Sequence, residues 1–297
     1  MNVFITGTTG FVGSHMVKGL LRAGHTVRGL VRSLDKGRAR TPGIDLSPGN
    51  ILEPASLRDP MYGCEAVIHL VGIILEVRGA TFEDIHHHGT RNVVEAAKEA
   101  GVGRFLHMSA LGTRPNAASA YHQTKWKGEE AVRAGGIPWV IFRPSIIYGP
   151  GDGFTSQMLD MMRKAPLRPI VGSGQYPVQP IFIQDVVDCF VQALTNSAAL
   201  GREFALGGPR PMPVEEMLDQ LAAAAGIRKP KIHLPYWFMY AGAALLEAVL
   251  ARPPVTRDQL TMMREGSTCD CGPMLETFRV KHWPLEEGLR SYLGSRQ

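Results

Sequence analysis

The sequence predicts an α/β fold: a doubly wound parallel sheet followed by a smaller C-terminal α/β lobe. Three observations carry this. An apolar strand, Val3-Phe4-Ile5, runs into a glycine-punctuated turn from Thr6 to Gly13 and then into an amphipathic helix. Apolar runs of strand length alternate with helical stretches as far as Arg143. Those runs are also nearly continuous in Val, Ile, Leu and Phe, as in strands covered on both faces.

The first turn reads as a dinucleotide-binding (Rossmann) site. Gly7 lets the chain turn sharply, Gly10 lets backbone approach a pyrophosphate, and Gly13 lets the helix pack closely on its strand. The helix runs through Met16, Val17, Leu20 and Leu21 to Gly24, and its free N–H groups and positive dipole end suit phosphate. The spacing G-x-x-G-x-x-G departs from the commoner G-x-G-x-x-G, so its weight comes from its place between strand and helix. The second strand, Thr26 to Arg32, ends where an NAD site places an acidic residue on the ribose 2′-hydroxyl. Here Arg32 stands there. A guanidinium pairs with a 2′-phosphate through two charge-assisted bonds, so NADP(H) is expected in preference to NAD(H).

Further strands are expected at Ile44-Asp45-Leu46, Ala66 to Gly72, Arg104 to Ser109 and Trp139 to Arg143, with helices over Phe82 to Ala100 and Ala120 to Ala134. Right-handed crossovers place the carboxyl ends of these strands around one crevice, which takes in Gly72, Ser109, Ala110, Pro144 and Ser145. The full cofactor set expected is Gly7, Thr9, Gly10, Phe11, Val12, Gly13, Arg32, Leu70, Val71, Gly72, Met108, Tyr121, Lys125, Arg143, Pro144, Ser145 and Ile146. After Gly149 the alternation loosens, with short helices near Val186 to Leu194 and Val214 to Ala225. The expected division is residues 1–150 for the cofactor and 151–297 for substrate, with about 177–206 returning to the first domain.

A net charge of +5 with no long basic block argues against nucleic acid and for a polyanionic small molecule. Cys64, Cys189, Cys269 and Cys271 lack zinc-site spacing, and the chain opens on a core strand without a secretory signal, so a cytoplasmic protein with reduced thiols is expected. The longest apolar stretch, Trp237 to Ala251, is interrupted by Glu247 and is shorter than the roughly twenty residues of a membrane span. It is expected to be a core or interface helix.

The chemistry sits in Tyr121-His122-Gln123-Thr124-Lys125. Four residues are about one helical turn, so phenol and ammonium share a face. A cation beside the phenol is expected to favour phenolate and make Tyr121 a general acid or base. Lys125 can also hold the nicotinamide ribose.

The runs Thr6–Gly13, His69–Gly72, Gly89–Asn92, Tyr121–Lys125 and Phe142–Phe154 resemble the short-chain dehydrogenase/reductase superfamily, in its extended and atypical branches. The runs His107–Gly112 and Gln179–Val186 look most like the group that contains the nucleotide-binding accessory subunit of mitochondrial complex I and its bacterial relatives, many labelled epimerase/dehydratase-like. The resemblance implies a two-lobed fold, a nicotinamide cofactor in the first lobe, and Tyr121 with Lys125 as the catalytic pair. Where the superfamily carries a Ser or Thr to hold the substrate oxygen this chain has Ala110, with Ser109 one residue earlier as the substitute. His86 replaces a frequent Asn and is expected to pack or cap at a helix start.

The triplet His86-His87-His88 raises a metal reading, but successive helical residues point about 100° apart and no carboxylate or Cys pattern accompanies them, so no metal is expected. Arg143 and Tyr148 are placed by the resemblance near the nicotinamide. Val71-Gly72-Ile73-Ile74-Leu75 offers an apolar wall, which suits a quinone-like or lipid-like carbonyl compound better than a sugar nucleotide. Three readings stay open: an NADP(H)-dependent oxidoreductase or epimerase acting on a small molecule, a cofactor-holding member of a respiratory or other complex, and an NADP-sensing regulator. A homodimer is equally open.

Overall fold

A computed structural model describes residues 1–294. Strands β1 (Asn2–Thr6), β2 (Thr26–Val31), β3 (Asp45–Pro48), β4 (Ala66–His69), β5 (Arg104–Met108) and β6 (Trp139–Pro144) form one parallel sheet with a seventh strand, Arg202–Leu206. From edge to edge the order is Arg202–Leu206, β6, β5, β4, β1, β2, β3. The order turns back between β1 and β4, and the glycine turn lies at that switch point.

Alternate side chains feed two cores, one on each face of the sheet. Ile5, Ile68, Leu106 and Phe142 point to one; Phe4, Val67, Phe105 and Ile141 point to the other. The register sets Thr6 opposite His69 and His69 opposite His107, so three polar side chains form a row across β1, β4 and β5. All three are buried.

The helix expected over Phe82 to Ala100 is two pieces, a π-helical turn at Glu83–His88 followed by an α-helix at Gly89–Glu99. Close packing accompanies the wide turn. The Tyr121 helix (Ala120–Ala134) presents Gly128, where a Cβ would collide with the carbonyl oxygen of His86. The Arg202–Leu206 strand pairs with β6, Phe204 opposite Phe142, so the sheet is finished by a segment from the second half of the chain.

Of the two expectations for the long apolar stretch, a core or an interface helix, the structure excludes the first. The stretch forms a helix, Tyr236–Val249, in which only Ala243 is buried, while Trp237 is 71%, Leu245 67% and Val249 72% exposed. It is therefore no core helix: it rests against the Arg257–Glu265 helix and leaves its outer side uncovered. Among the described residues no helix is long and apolar enough to cross a membrane.

Gly128→Ala tests the close approach to the π-helical turn. The added methyl should cost about 1–3 kcal/mol, read as a lower urea midpoint with unchanged slope. Gly153→Ala, where nothing lies within 4 Å of the added carbon, should be neutral or stabilising. Equal midpoints for both variants would refute the tight contact.

Candidate active site

The glycine turn is held by backbone proximity. Gly7 has a φ of 81°, and a Cβ on it would lie 3.2 Å from the backbone of Leu70 and Val71 at the end of β4. A Cβ on Gly13 would run into the Gly7 carbonyl. Gly10 begins the Phe11–Arg22 helix without any side-chain cap, and no acidic residue lies in the first turn. Its N–H groups therefore face an anion unopposed, and Thr8 Oγ1, buried beside them, has no protein partner. This cradle fits a pyrophosphate. Thr9, Phe11 and Val12 are half-buried along it.

Arg32 is exposed at the end of β2. A second basic group, which the sequence reading passed over, lies closer to the turn: Arg40 Nη1 donates to the Thr9 carbonyl at 3.0 Å. The basic pair Arg38 and Arg40 on the short Leu34–Arg40 helix carried that signal. Pro144, Ser145 and Ile146, at and after the end of β6, are tied to the second half of the chain. Ser145 N–H donates to Leu206 O at 2.8 Å, its Oγ shares a 2.8 Å hydrogen bond with Ser267 Oγ, and Ile146 O accepts from Ile181.

The Tyr121 helix starts firmly because Ser119 caps it and Asp258, from the Arg257–Glu265 helix, accepts from the backbone N–H of Ala120 at 2.8 Å and of Tyr121 at 3.4 Å. Lys125 is buried, and its Nζ donates to the Met108 carbonyl at 2.7 Å. Gly72 faces the same spot. A Cβ there would sit 3.8 Å from Lys125 Nζ and 3.7 Å from His86 Nε2. The ends of β4 and β5, the π-helical turn and the Tyr121 helix thus meet at one point.

Burial sets the protonation there. It lowers Lys125 to about 8, partly offset by the Glu129 carboxylate. It raises Tyr121 to about 12, with Asp258 adding to the rise. The expected drift of Tyr121 toward phenolate is thus reversed, because burial penalises the charged form and the Asp258 carboxylate adds to that penalty. Burial, then the charge of Lys125, pushes His69 to about 3, His86 to about 2 and His107 well below 6.5. The three imidazoles are neutral and Lys125 carries the charge.

His86 does more than cap a helix. Its Nδ1 lies 3.0 Å from Thr124 Oγ1, and its Nε2 lies 3.1 Å from Ile73 N and 3.0 Å from Ile73 O. Its ring meets Tyr121 edge-on at 5.1 Å. It therefore bridges the loop after β4 to the helix that bears the Tyr/Lys pair. His69 makes a similar bridge, from Thr6 Oγ1 at 2.6 Å to Thr90 Oγ1 at 3.0 Å, and His107 stacks on it.

His87 and His88 turn outward, and the carboxylate that the sequence reading missed is Glu83, one helical turn away. These three groups converge, but Glu83 already binds His87 at 2.8 Å and Lys127 at 2.9 Å, and an ammonium on the carboxylate disfavours a cation there. Arg143 needs a correction as well. Its guanidinium is engaged by Glu129 (2.8 and 2.5 Å) and Glu203 (2.9 Å), so its charge is balanced beneath the sheet end. Tyr148 is buried in the core, its hydroxyl toward Pro284. Ser109 is buried with Oγ 3.4 Å from Thr113 Oγ1, itself 3.4 Å from His122 Nδ1, while Ala110 is half-buried.

Residues 3–207 match the model of the NAD dependent epimerase/dehydratase family. The chain is 36% identical over 201 residues to ceramide reductase of Caulobacter vibrioides, a match covering 67% of this chain and 62% of that protein, so it spans less than two thirds of that relative. It is 34% identical over 295 residues to NADH dehydrogenase (ubiquinone) 1 alpha subcomplex subunit 9, mitochondrial, of Mus musculus, covering 95% of this chain and 77% of the subunit. Its fold is similar to that of UDP-glucuronic acid 4-epimerase from Bacillus cereus, solved with UDP-glucuronic acid and NAD, with a TM-score of 0.74, 20% identity and complete coverage of both chains.

Lys125 gives the site a measurable pH signature. Its folded value near 8 lies below the 10.5 of a free lysine, so between them the unfolded chain holds more protons and stability rises with pH. Wild type should gain on Lys125→Met by about 1.4 kcal/mol per pH unit at most between pH 8 and 10, read from urea midpoints. Parallel curves would mean that the ammonium is hydrated.

Proposed function

The chain belongs to the NAD dependent epimerase/dehydratase family, and from that premise we propose that it is an NADP(H)-dependent oxidoreductase that acts on an apolar carbonyl or alcohol, with Tyr121 as proton donor and acceptor. One observation carries the reading: the buried Lys125 ammonium, fixed to the Met108 carbonyl, sits one helical turn from the Tyr121 phenol at the mouth of the glycine-turn crevice. The nicotinamide cofactor, when bound, supplies hydride exchange at the substrate carbon.

The chain's own groups supply the rest. The N–H groups of the Phe11–Arg22 helix hold the pyrophosphate, and Arg32 with Arg40 suits a 2′-phosphate at the edge of the turn. Lys125 would hold the nicotinamide ribose and stabilise negative charge that develops on Tyr121 Oη as the proton leaves. A phenol that rests near 12 holds its proton at neutral pH and so stands ready as an acid in the direction of carbonyl reduction. Ser109, with Thr113 behind it, is the hydroxyl nearest to the role that Ala110 cannot fill.

An apolar substrate is supported by the wall from Val71 to Leu75, where Ile74 is exposed, and by a relative named ceramide reductase. A second reading, a cofactor-holding subunit of a larger assembly, is favoured by the 34% identity over 95% of the chain to a complex I subunit.

Calorimetry should give NADPH at least about tenfold tighter than NADH, 1.4 kcal/mol, with the preference lost in Arg32→Ala and reduced in Arg40→Ala. Equal affinities in wild type would remove the 2′-phosphate assignment. Tyr121→Phe should keep NADPH affinity within a few-fold and abolish carbonyl reduction, first screened on quinones and long-chain ketones. If Ser109 orients the substrate oxygen, Ser109→Ala should slow turnover by about a hundredfold while Ala110→Ser changes little. Strong NADPH stabilisation with no turnover on any carbonyl would favour the subunit reading.

A further inference from the structure

The Tyr236–Val249 helix is the largest feature that the cofactor site does not use. Trp237, Ala241, Leu245 and Val249, spaced four apart, run along one exposed side, and Phe238 and Leu250 widen it. Isolated exposed apolar residues are ordinary; a continuous stripe that includes a tryptophan 71% exposed is not. At about 1.5 Å per residue the helix is some 20 Å long, too short to span a bilayer but long enough to lie along one.

Charge indicates what covers it. From Gly226 to Arg257 the chain carries Arg228, Lys229, Lys231, Arg252 and Arg257 and one acid, Glu247; Lys231 is paired with Glu215 and Asp219, while among the described residues no carboxylate pairs with Arg228, Lys229 or Arg252. Glu247 is neutralised, since Arg257 donates to it from Nε at 2.7 Å and from its backbone N–H. Arginines also stand at both ends of the stripe. Arg264 lies over the Tyr236 ring at 5.3 Å, and exposed Arg252 follows Leu250. An apolar stripe with aromatic residues at its start and basic groups at both ends complements the boundary between acyl chains and anionic headgroups. A second copy of the chain would bring arginines against arginines, a poorer match.

We infer that the Tyr236–Val249 helix docks this protein in the plane of an anionic lipid bilayer, with Trp237, Phe238, Leu245 and Val249 in the acyl boundary and Arg252 and Arg264 on the headgroups. The neighbouring helix connects this surface to the cleft. Asp258 caps the Tyr121 helix, and Gln259 Nε2 donates to the carbonyl of exposed Ile74 at 3.4 Å. Docking thus holds the apolar wall of the cleft close to the lipid. The inference does not depend on the reaction proposed above, since it is read from binding alone.

Co-sedimentation of the full chain with vesicles tests it, using phosphatidylcholine alone and a mixture containing phosphatidylglycerol. Wild type should bind the anionic vesicles at least about fivefold better than the neutral ones, and 0.5 M salt should erase the difference. Trp237→Glu with Leu245→Glu should reduce binding about tenfold or more while leaving the urea midpoint and NADPH affinity unchanged, because both side chains are in water. Arg252→Ala with Arg264→Ala keeps the apolar stripe and should lower anionic binding to the neutral level. No sedimentation with anionic vesicles, equal binding to both compositions, or undiminished binding by the double glutamate variant would overturn the inference. So would a solution dimer that dissociates in that variant and ignores vesicles.

Discussion

A single buried ammonium governs this molecule. Lys125 donates to the Met108 carbonyl at 2.7 Å with almost no exposure to water, and a charge held in such surroundings dictates what can stand beside it. Burial first, and the charge of Lys125 second, drives His69, His86 and His107 to the neutral form. A neutral imidazole can donate at one nitrogen and accept at the other, so His86 joins the loop after β4 to the Tyr121 helix and His69 joins β1 to Thr90 where a second cation would repel, while His107 only stacks on His69. Glu129, completely buried four residues along the same helix, offsets part of the cost and is itself held by Arg133 and Arg143. Removing Arg133 or Arg143 would leave the buried Glu129 carboxylate short of a partner, whereas removing a neutral imidazole would cost hydrogen bonds or packing but no charge balance.

Much of this was legible in the sequence because it is local. The glycine turn needs only residues 7 to 13, and the Tyr/Lys spacing needs only one turn of helix. The succession of strands along the chain and the bounds of the Tyr121 helix follow from periodicity. Contacts between distant segments were not legible. Nothing near Asp258 announces that it caps a helix beginning at residue 120, and nothing near Glu203 announces its bond to Arg143. His69 and His107 look like ordinary members of apolar strands until the register sets them side by side. Arg40 reaches the glycine turn only because a short helix folds back over it.

The Tyr236–Val249 helix left two expectations open, core or interface, for a different reason. Its composition is apolar on nearly every side, so the sequence contains no polar face to mark which side meets water. Hydrophobicity measured the tendency to leave water, while its destination was set elsewhere, by a neighbour that covers little more than Ala243.

The π-helical turn at Glu83–His88 shows how far a single residue can matter. A wide turn is what an α-helix becomes when it absorbs one extra residue without unwinding. Removing one residue there would restore regular winding and keep the flanking segments in phase, so the whole displacement would fall on the residues of the wide turn, His86 among them. His86 would then leave Ile73 and Thr124, and the tether between the β4 loop and the Tyr121 helix would be lost with no residue type changed. Segment length is thus itself a requirement of the site, and the loss of one residue would disturb it without any substitution.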